Sequence, residues 1–216
     1  MTNKQQPILL LPTNEDTTGP YFPTYFSDES YEDLTQIHSG VIAGPTGQHI
    51  ILRGSVLDRN GKLANGVLLE FWQANAKGIY RNPSSENHPD LDPWFDGYGR
   101  LRSTTGEYTY RTILPGALKD RAPNITVTIF SDGINRIVTQ IFFANQKANE
   151  IDPLLKTLTD QDRKRLTAKY EGPSPDGADV YTLDIIMAGD NETPFFDDFL
   201  SSVSYTHLTL PTKQMV

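Results

Sequence analysis

The chain has 216 residues, a formal net charge of -8 and no cysteine, so it is long enough for one domain with a sizeable core but has no disulfide framework or thiolate metal site. The acidic balance, with no Lys/Arg stripe, argues against a nucleic-acid backbone as partner, because that binding needs clustered cations to release counterions. The N-terminal apolar run Ile8 to Leu11 is closed by Pro12 and is too short for a signal-peptide core or a membrane span, which leaves a soluble cytoplasmic protein as the expectation.

Residues 1–49 read as an N-terminal arm. It is punctuated by Thr17-Thr18-Gly19-Pro20-Tyr21-Phe22-Pro23 and Gly44-Pro45-Thr46-Gly47, with no long periodic segment between them. A strand is expected from Ile50 to Leu57. Asn60-Gly61 then signals a hairpin, since both residues tolerate positive φ, with Val67 to Trp72 as the returning strand. Tyr108 to Ile113 follows a Thr105-Gly106 turn, and Ile125, Val127 and Ile129 alternate with Thr126 and Thr128. Ile137 to Phe143 and Val180 to Met187 complete the strands. One helix is expected over Asp160 to Lys169, with Thr159 as N-cap, acids in its first turn and bases toward its end. The pattern predicts an all-β fold: an antiparallel β-sandwich over residues 50–201 with long loops, the N-terminal arm and one short helix.

Four segments carry more than fold information. They are Val67 to Tyr80, containing Phe71-Trp72-Gln73-Ala74-Asn75; Phe95-Asp96-Gly97-Tyr98-Gly99-Arg100; Thr112-Ile113-Leu114-Pro115-Gly116; and Thr139-Gln140-Ile141-Phe142-Phe143. In this order they resemble the intradiol ring-cleavage dioxygenases, over roughly residues 6–199. Beyond that, Ser202 to Thr212 resembles the translation of an adapter used in DNA library preparation. Residues 202–216 are therefore set aside as a non-native tail.

The resemblance implies an enzyme that holds ferric iron with two tyrosinates and two histidines and opens a catechol ring with O2. Phenolate suits a hard, highly charged ion, which in turn lowers the tyrosine pKa. In the family the first tyrosine follows the Trp-Gln tract, as Tyr80 does here. The second stands in the loop after Pro-Gly, and the histidines occupy the next strand as Pro-x-His-x-His. Here the loop Pro115 to Pro123 has no tyrosine, and Asn124 and Thr126 stand where the histidines belong. A period-two strand puts those two side chains on one face, yet an amide and a hydroxyl are weak ligands for ferric iron. Three of four ligands are missing, and His38, His49, His88 and His207 lie elsewhere.

Within the family this loss resembles the α-type chain of the members that act on protocatechuate. The resemblance then implies a hetero-oligomer of αβ units, with Fe(3+) bound by a homologous β subunit and not by this chain, and with protocatechuate and O2 as substrates of the complex. It also implies that Thr17, Gly19, Pro20 and Tyr21 of the arm line the substrate pocket at the partner's site. Taken alone, that tetrapeptide is an ordinary turn. One departure stands out: Ser131-Asp132-Gly133 replaces the Ala-Arg-Gly of α-type chains, and Asp132 would repel a substrate carboxylate that an arginine would attract. No catalytic residue or metal ligand set is expected in this chain. Two other readings are a non-catalytic β-sandwich module serving as a scaffold or ligand binder, and a homodimeric catechol or hydroxyquinol dioxygenase, which conflicts with Asn124 and Thr126. His88, Asp90, Asp92 and Asp96 read as a solvated loop, because Pro89 and Pro93 spoil calcium-loop spacing.

Overall fold

The computed structural model describes residues 31–35, 44–131 and 135–196. The arm motif Thr17 to Tyr21, His38, Asp132 and the 202–216 tail lie outside the described residues.

Nine strands and two α-helices are described, besides two short 3-10 turns. They are β1 His49–Leu57, β2 Val67–Gln73, β3 Tyr98–Ser103, β4 Glu107–Ile113, β5 Asn124–Ser131, β6 Asn135–Phe143, α1 Pro153–Thr157, α2 Asp160–Leu166, β7 Thr167–Pro173, β8 Asp179–Thr182 and β9 Ile185–Ile186. The strand order is β3-β2-β5-β6-β7-β8-β1-β4, with β9 paired to β1. The all-β sandwich expected from the sequence is therefore present, although its sheet is mixed: β1 runs parallel to β8 and β9, and β6 parallel to β7. Alternation reports which face of a strand is buried and is silent on the direction of its neighbour.

The expected hairpin is corrected. Asn60-Gly61 does make a tight turn, with Gly61 at φ 72° and the Asp58 carboxylate accepting the N–H groups of Asn60 and Lys62. β2 does not return beside β1, however. It pairs with β3 and β5, while β1 pairs with β4 and β8. A second turn at Gly66, φ 69°, lies between them, and the chain crosses to the other layer. Such a crossing lets both strands bury an apolar face in one core.

That core lies between β3-β2-β5-β6 and β7-β8-β1-β4. Phe71 of β2 stacks on Tyr110 of β4 with ring centroids 4.2 Å apart and an interplanar angle of 7°. Ile50, Leu52, Leu69, Ile125, Val127, Ile129 and Ile141 are fully buried around them. Each such side chain contributes roughly 1.5–3 kcal/mol of transfer free energy. Gln73 of β2 donates through Nε2 to the Ile113 carbonyl at 2.9 Å and accepts from Thr112 Oγ1 at 2.9 Å, tying the two layers together.

α2 begins at the expected cap, where Thr159 Oγ1 accepts the Asp162 N–H at 3.1 Å. It stops at Leu166, three residues early, because Thr167 and Ala168 join β7 beside Phe142 and Phe143. α1, which periodicity alone does not reveal in so short a stretch, is capped by Asp152 and set by Pro153 in its first turn. Both helices cover a small second core of Ala122, Phe142, Leu154, Leu155 and Leu166. None of the helices among the described residues is long and apolar enough to cross a membrane.

Candidate functional site

The site is built from the loop after β2 and the loop before β5. Asn75, buried and just past β2, organises the first. Its Oδ1 accepts the N–H groups of Lys77 and Ile79 at 2.9 and 3.0 Å, and its Nδ2 donates to the Asp90 carbonyl at 2.8 Å. Its own carbonyl accepts from Gly78 and from Gly116 of the second loop. The two loops touch backbone to backbone where they carry glycine. A Cβ on Gly78, φ +79°, would sit 2.3 Å from the Ala117 carbonyl oxygen, and one on Gly116 only 2.4 Å from that of Ala76. No side chain fits at either place. Tyr80 emerges from this junction half-buried, its carbonyl accepting from Ser85 Oγ at 2.6 Å.

Asn124 opens β5 and Thr126 follows two residues on, so both stand on the face away from the main core. Their cross-strand neighbours are Phe142 and Gln140 of β6, and Thr126 is also paired with Trp72 of β2. Asn124 is buried, with Nδ2 donating to the Ala122 carbonyl at 2.7 Å.

Beside them lies an ion pair that the sequence does not announce. Arg121 donates through Nε to Asp152 Oδ2 at 2.9 Å and through Nη2 to Gln140 Oε1 at 2.6 Å, with its guanidinium carbon 5.9 Å from the centre of the Phe142 ring. Asp152 is fully buried. Besides Arg121 it accepts the N–H groups of Ala122, Leu154 and Leu155, the last two at the start of α1. A carboxylate so completely satisfied tolerates burial. It fixes the loop before β5 to the small helical core, and Pro153 after an Asp was the only sequence signal for it, as a helix start.

The four-ligand ferric site implied by the resemblance does not fit these residues. One phenol, an amide bonded to a carbonyl and a threonine hydroxyl are a poor donor set for a hard trivalent ion. A guanidinium stands on the same face. Among the described residues no group of three or more His, Asp or Glu is arranged to hold a metal. The acidic loop is also not simply solvated: Asp92 is buried and accepts from Thr46 N and Oγ1 at 2.8 and 2.7 Å and from Trp94 N at 2.9 Å. Burial alone would raise its pKa, but these donors outweigh it and hold the carboxyl below the usual range.

On the outer face of β2 and β3, Tyr98 Oη donates to Glu70 Oε1 at 3.0 Å, and Arg100 pairs with the same carboxylate. Burial first, then the Glu70 charge, pushes the Tyr98 phenol up to about 12. Trp72 packs against Tyr98 with centroids 5.0 Å apart and is 44% exposed, which leaves an aromatic face at the rim of the site. An open groove lies elsewhere, between β3 and β4, lined by Arg102, Ser103, Thr105, Glu107 and Arg111, and contains none of the candidate residues.

This chain belongs to the intradiol ring-cleavage dioxygenases: a dioxygenase family model matches residues 17–189. More narrowly, it is 35% identical to the protocatechuate 3,4-dioxygenase alpha chain of Pseudomonas putida, over 88% of this chain and 99% of that one. It is also 32% identical to the beta chain of the enzyme of that name from Burkholderia cepacia, over 86% and 84% of the two chains. Among solved structures, the dioxygenase domain of a dioxygenase–carbohydrate-binding fusion protein from Streptomyces sp. SirexAA-E matches with a TM-score of 0.57 and 26% identity, over 82% of this chain and 99% of that one.

Proposed function

We propose that this chain is the α-type, non-iron-binding subunit of a protocatechuate 3,4-dioxygenase. It pairs with a homologous β subunit that holds the ferric ion, and the assembly adds both atoms of O2 to protocatechuate, opening the ring between its hydroxyls to 3-carboxy-cis,cis-muconate. The observation that carries this reading is the donor set at the start of β5. Asn124 and Thr126 replace an imidazole pair in a fold otherwise intact, with Asn124 committed to the Ala122 carbonyl. Similarity to both an alpha chain and a beta chain, over most of this chain's length, supports the division of labour. The iron supplies the redox chemistry in the partner. This chain's residues supply a wall of the pocket, with Thr17, Gly19, Pro20 and Tyr21 of the arm placed against the substrate, where glycine allows close backbone approach and proline stiffens it.

Co-expression with a homologous chain carrying both tyrosines and Pro-x-His-x-His tests the proposal. The expected result is a stable complex with iron in the partner and ring cleavage of protocatechuate. Failure of the two chains to co-purify would favour the scaffold or binding module instead.

A further inference from the structure

Two Asn-Gly pairs, Asn60-Gly61 and Asn65-Gly66, stand in the crossing between β1 and β2, and all four residues are exposed. Such a pair is chemically labile, because glycine has no Cβ to keep its backbone nitrogen away from the preceding side-chain amide. The two pairs share much of their backbone geometry. Gly61 and Gly66 have φ of 72° and 69°, and a Cβ added at either would meet nothing within 4 Å. They differ in what holds the reacting atoms. At the first pair the Asp58 carbonyl accepts the Gly61 N–H at 3.0 Å, and the Asp58 carboxylate accepts the Asn60 and Lys62 N–H groups at 2.8 and 2.9 Å. The Asn60 side chain bonds that carboxylate as well. At the second pair neither the Gly66 N–H nor the Asn65 side chain makes a hydrogen bond among the described residues.

We propose that Asn65-Gly66 is a self-modification site, where the chain deamidates to aspartate and isoaspartate with water as the only co-reactant, while Asn60-Gly61 is spared. The Gly66 nitrogen gives up its proton and bonds to Asn65 Cγ, the Cγ–Nδ2 bond breaks, and ammonia leaves. Water then opens the five-membered ring. Cleavage at Cγ yields aspartate, and cleavage at the main-chain carbonyl yields isoaspartate, whose backbone runs through Cβ and is one methylene longer. Either product adds one negative charge to a chain already at -8. At Asn60 the same ring can close only after Asp58 releases both the nucleophile and the amide. The isoaspartate also falls where β2 takes its register. Ala64 N–H is tied to the Val56 carbonyl at 2.9 Å, and Val67, fully buried, is paired with Ser103, so the extra length displaces the start of the strand.

The test incubates the purified full-length chain in mildly alkaline buffer, followed by tryptic mass mapping with fragmentation. Cleavage after Lys62 puts the two asparagines in separate peptides. Residue 65 is expected to gain about 1 Da, as amide becomes carboxyl, with isoaspartate among the products. Its rate should exceed that of Asn60 about five- to tenfold, the factor expected when one or two hydrogen bonds must break before a ring can close. Asn65→Gln, which would need a six-membered ring, should remove the change, and Asp58→Ala should bring the Asn60 rate toward that of Asn65. Should Asp58→Ala fail to fold, the wild-type chain in urea decides, since there the two rates should converge. An Asn60 that reacts as fast as Asn65 in the folded chain would overturn the proposal. So would an Asn65 that stays intact when folded but reacts in urea, or a rate ratio that persists unchanged in urea.

Discussion

β5 has two faces, and they have different work. Ile125, Val127 and Ile129 point into the sandwich and are all fully buried. Asn124 and Thr126 point the other way and are backed by Gln140, Phe142 and Arg121. The inner face is demanded by the fold alone, since each side chain removed there leaves a cavity. The outer face is held by hydrogen bonds that need no metal. The outer-face residues can therefore vary while the architecture stands, which is what the proposed division of labour with a partner requires.

The sharpest way to break that contrast is a charge on the inner face. Val127→Asp places an unpaired carboxylate in the core, at a cost of several kcal/mol against a total stability of about 5–15 kcal/mol. The expected outcome is no soluble folded chain, checked by circular dichroism and gel filtration. Asp152→Ala comes next. It strips Arg121 of its buried partner and leaves the Ala122 N–H and the α1 cap unsatisfied, with an expected loss of about 3–5 kcal/mol in urea unfolding. On the outer face, Asn124→Ala removes one hydrogen bond and should cost about 1 kcal/mol. A loss there as large as that of Asp152→Ala would erase the distinction between the faces.

Farther out, at Tyr98, the effect is confined to high pH. Its phenol is raised to about 12 in the folded chain by burial and by Glu70, against about 10 when unfolded. The unfolded chain therefore loses its proton first. The contribution is fully present below pH 10 and is lost as pH rises from about 10 through 12. Tyr98→Phe should flatten the fall in stability over that window, and an unchanged slope would remove Tyr98 from the account.

Much of this was legible in the residues, for reasons particular to each element. The alternation of Ile125, Val127 and Ile129 marked β5, Thr159 marked the start of α2, and the absent tyrosine and histidines were visible by inspection. What escaped depends on partners distant in sequence. Arg121 meets Asp152 31 residues away, and no local signal pairs them. Asn75 belongs to the Phe71-Trp72-Gln73-Ala74-Asn75 tract, but its role comes from Asp90 and Gly116. The crossing after Asn60-Gly61 was misread as a hairpin because a turn signal fixes the turn and leaves the destination of the next strand open. β3 and β7 were missed because Gly99 and Lys169-Tyr170-Glu171 interrupt or hide the period of two.

The central claim is that this chain cannot itself hold the family's ferric ion, because its outer face on β5 presents Asn124 and Thr126. Titrating ferric iron into the purified chain alone, with bound metal and visible absorption measured against the complex with its iron-bearing partner, tests that directly. The expected result is a folded, colourless chain without stoichiometric iron or ring cleavage, beside a coloured and active complex. A lone chain that takes up one iron with a tyrosinate band and opens protocatechuate would contradict it.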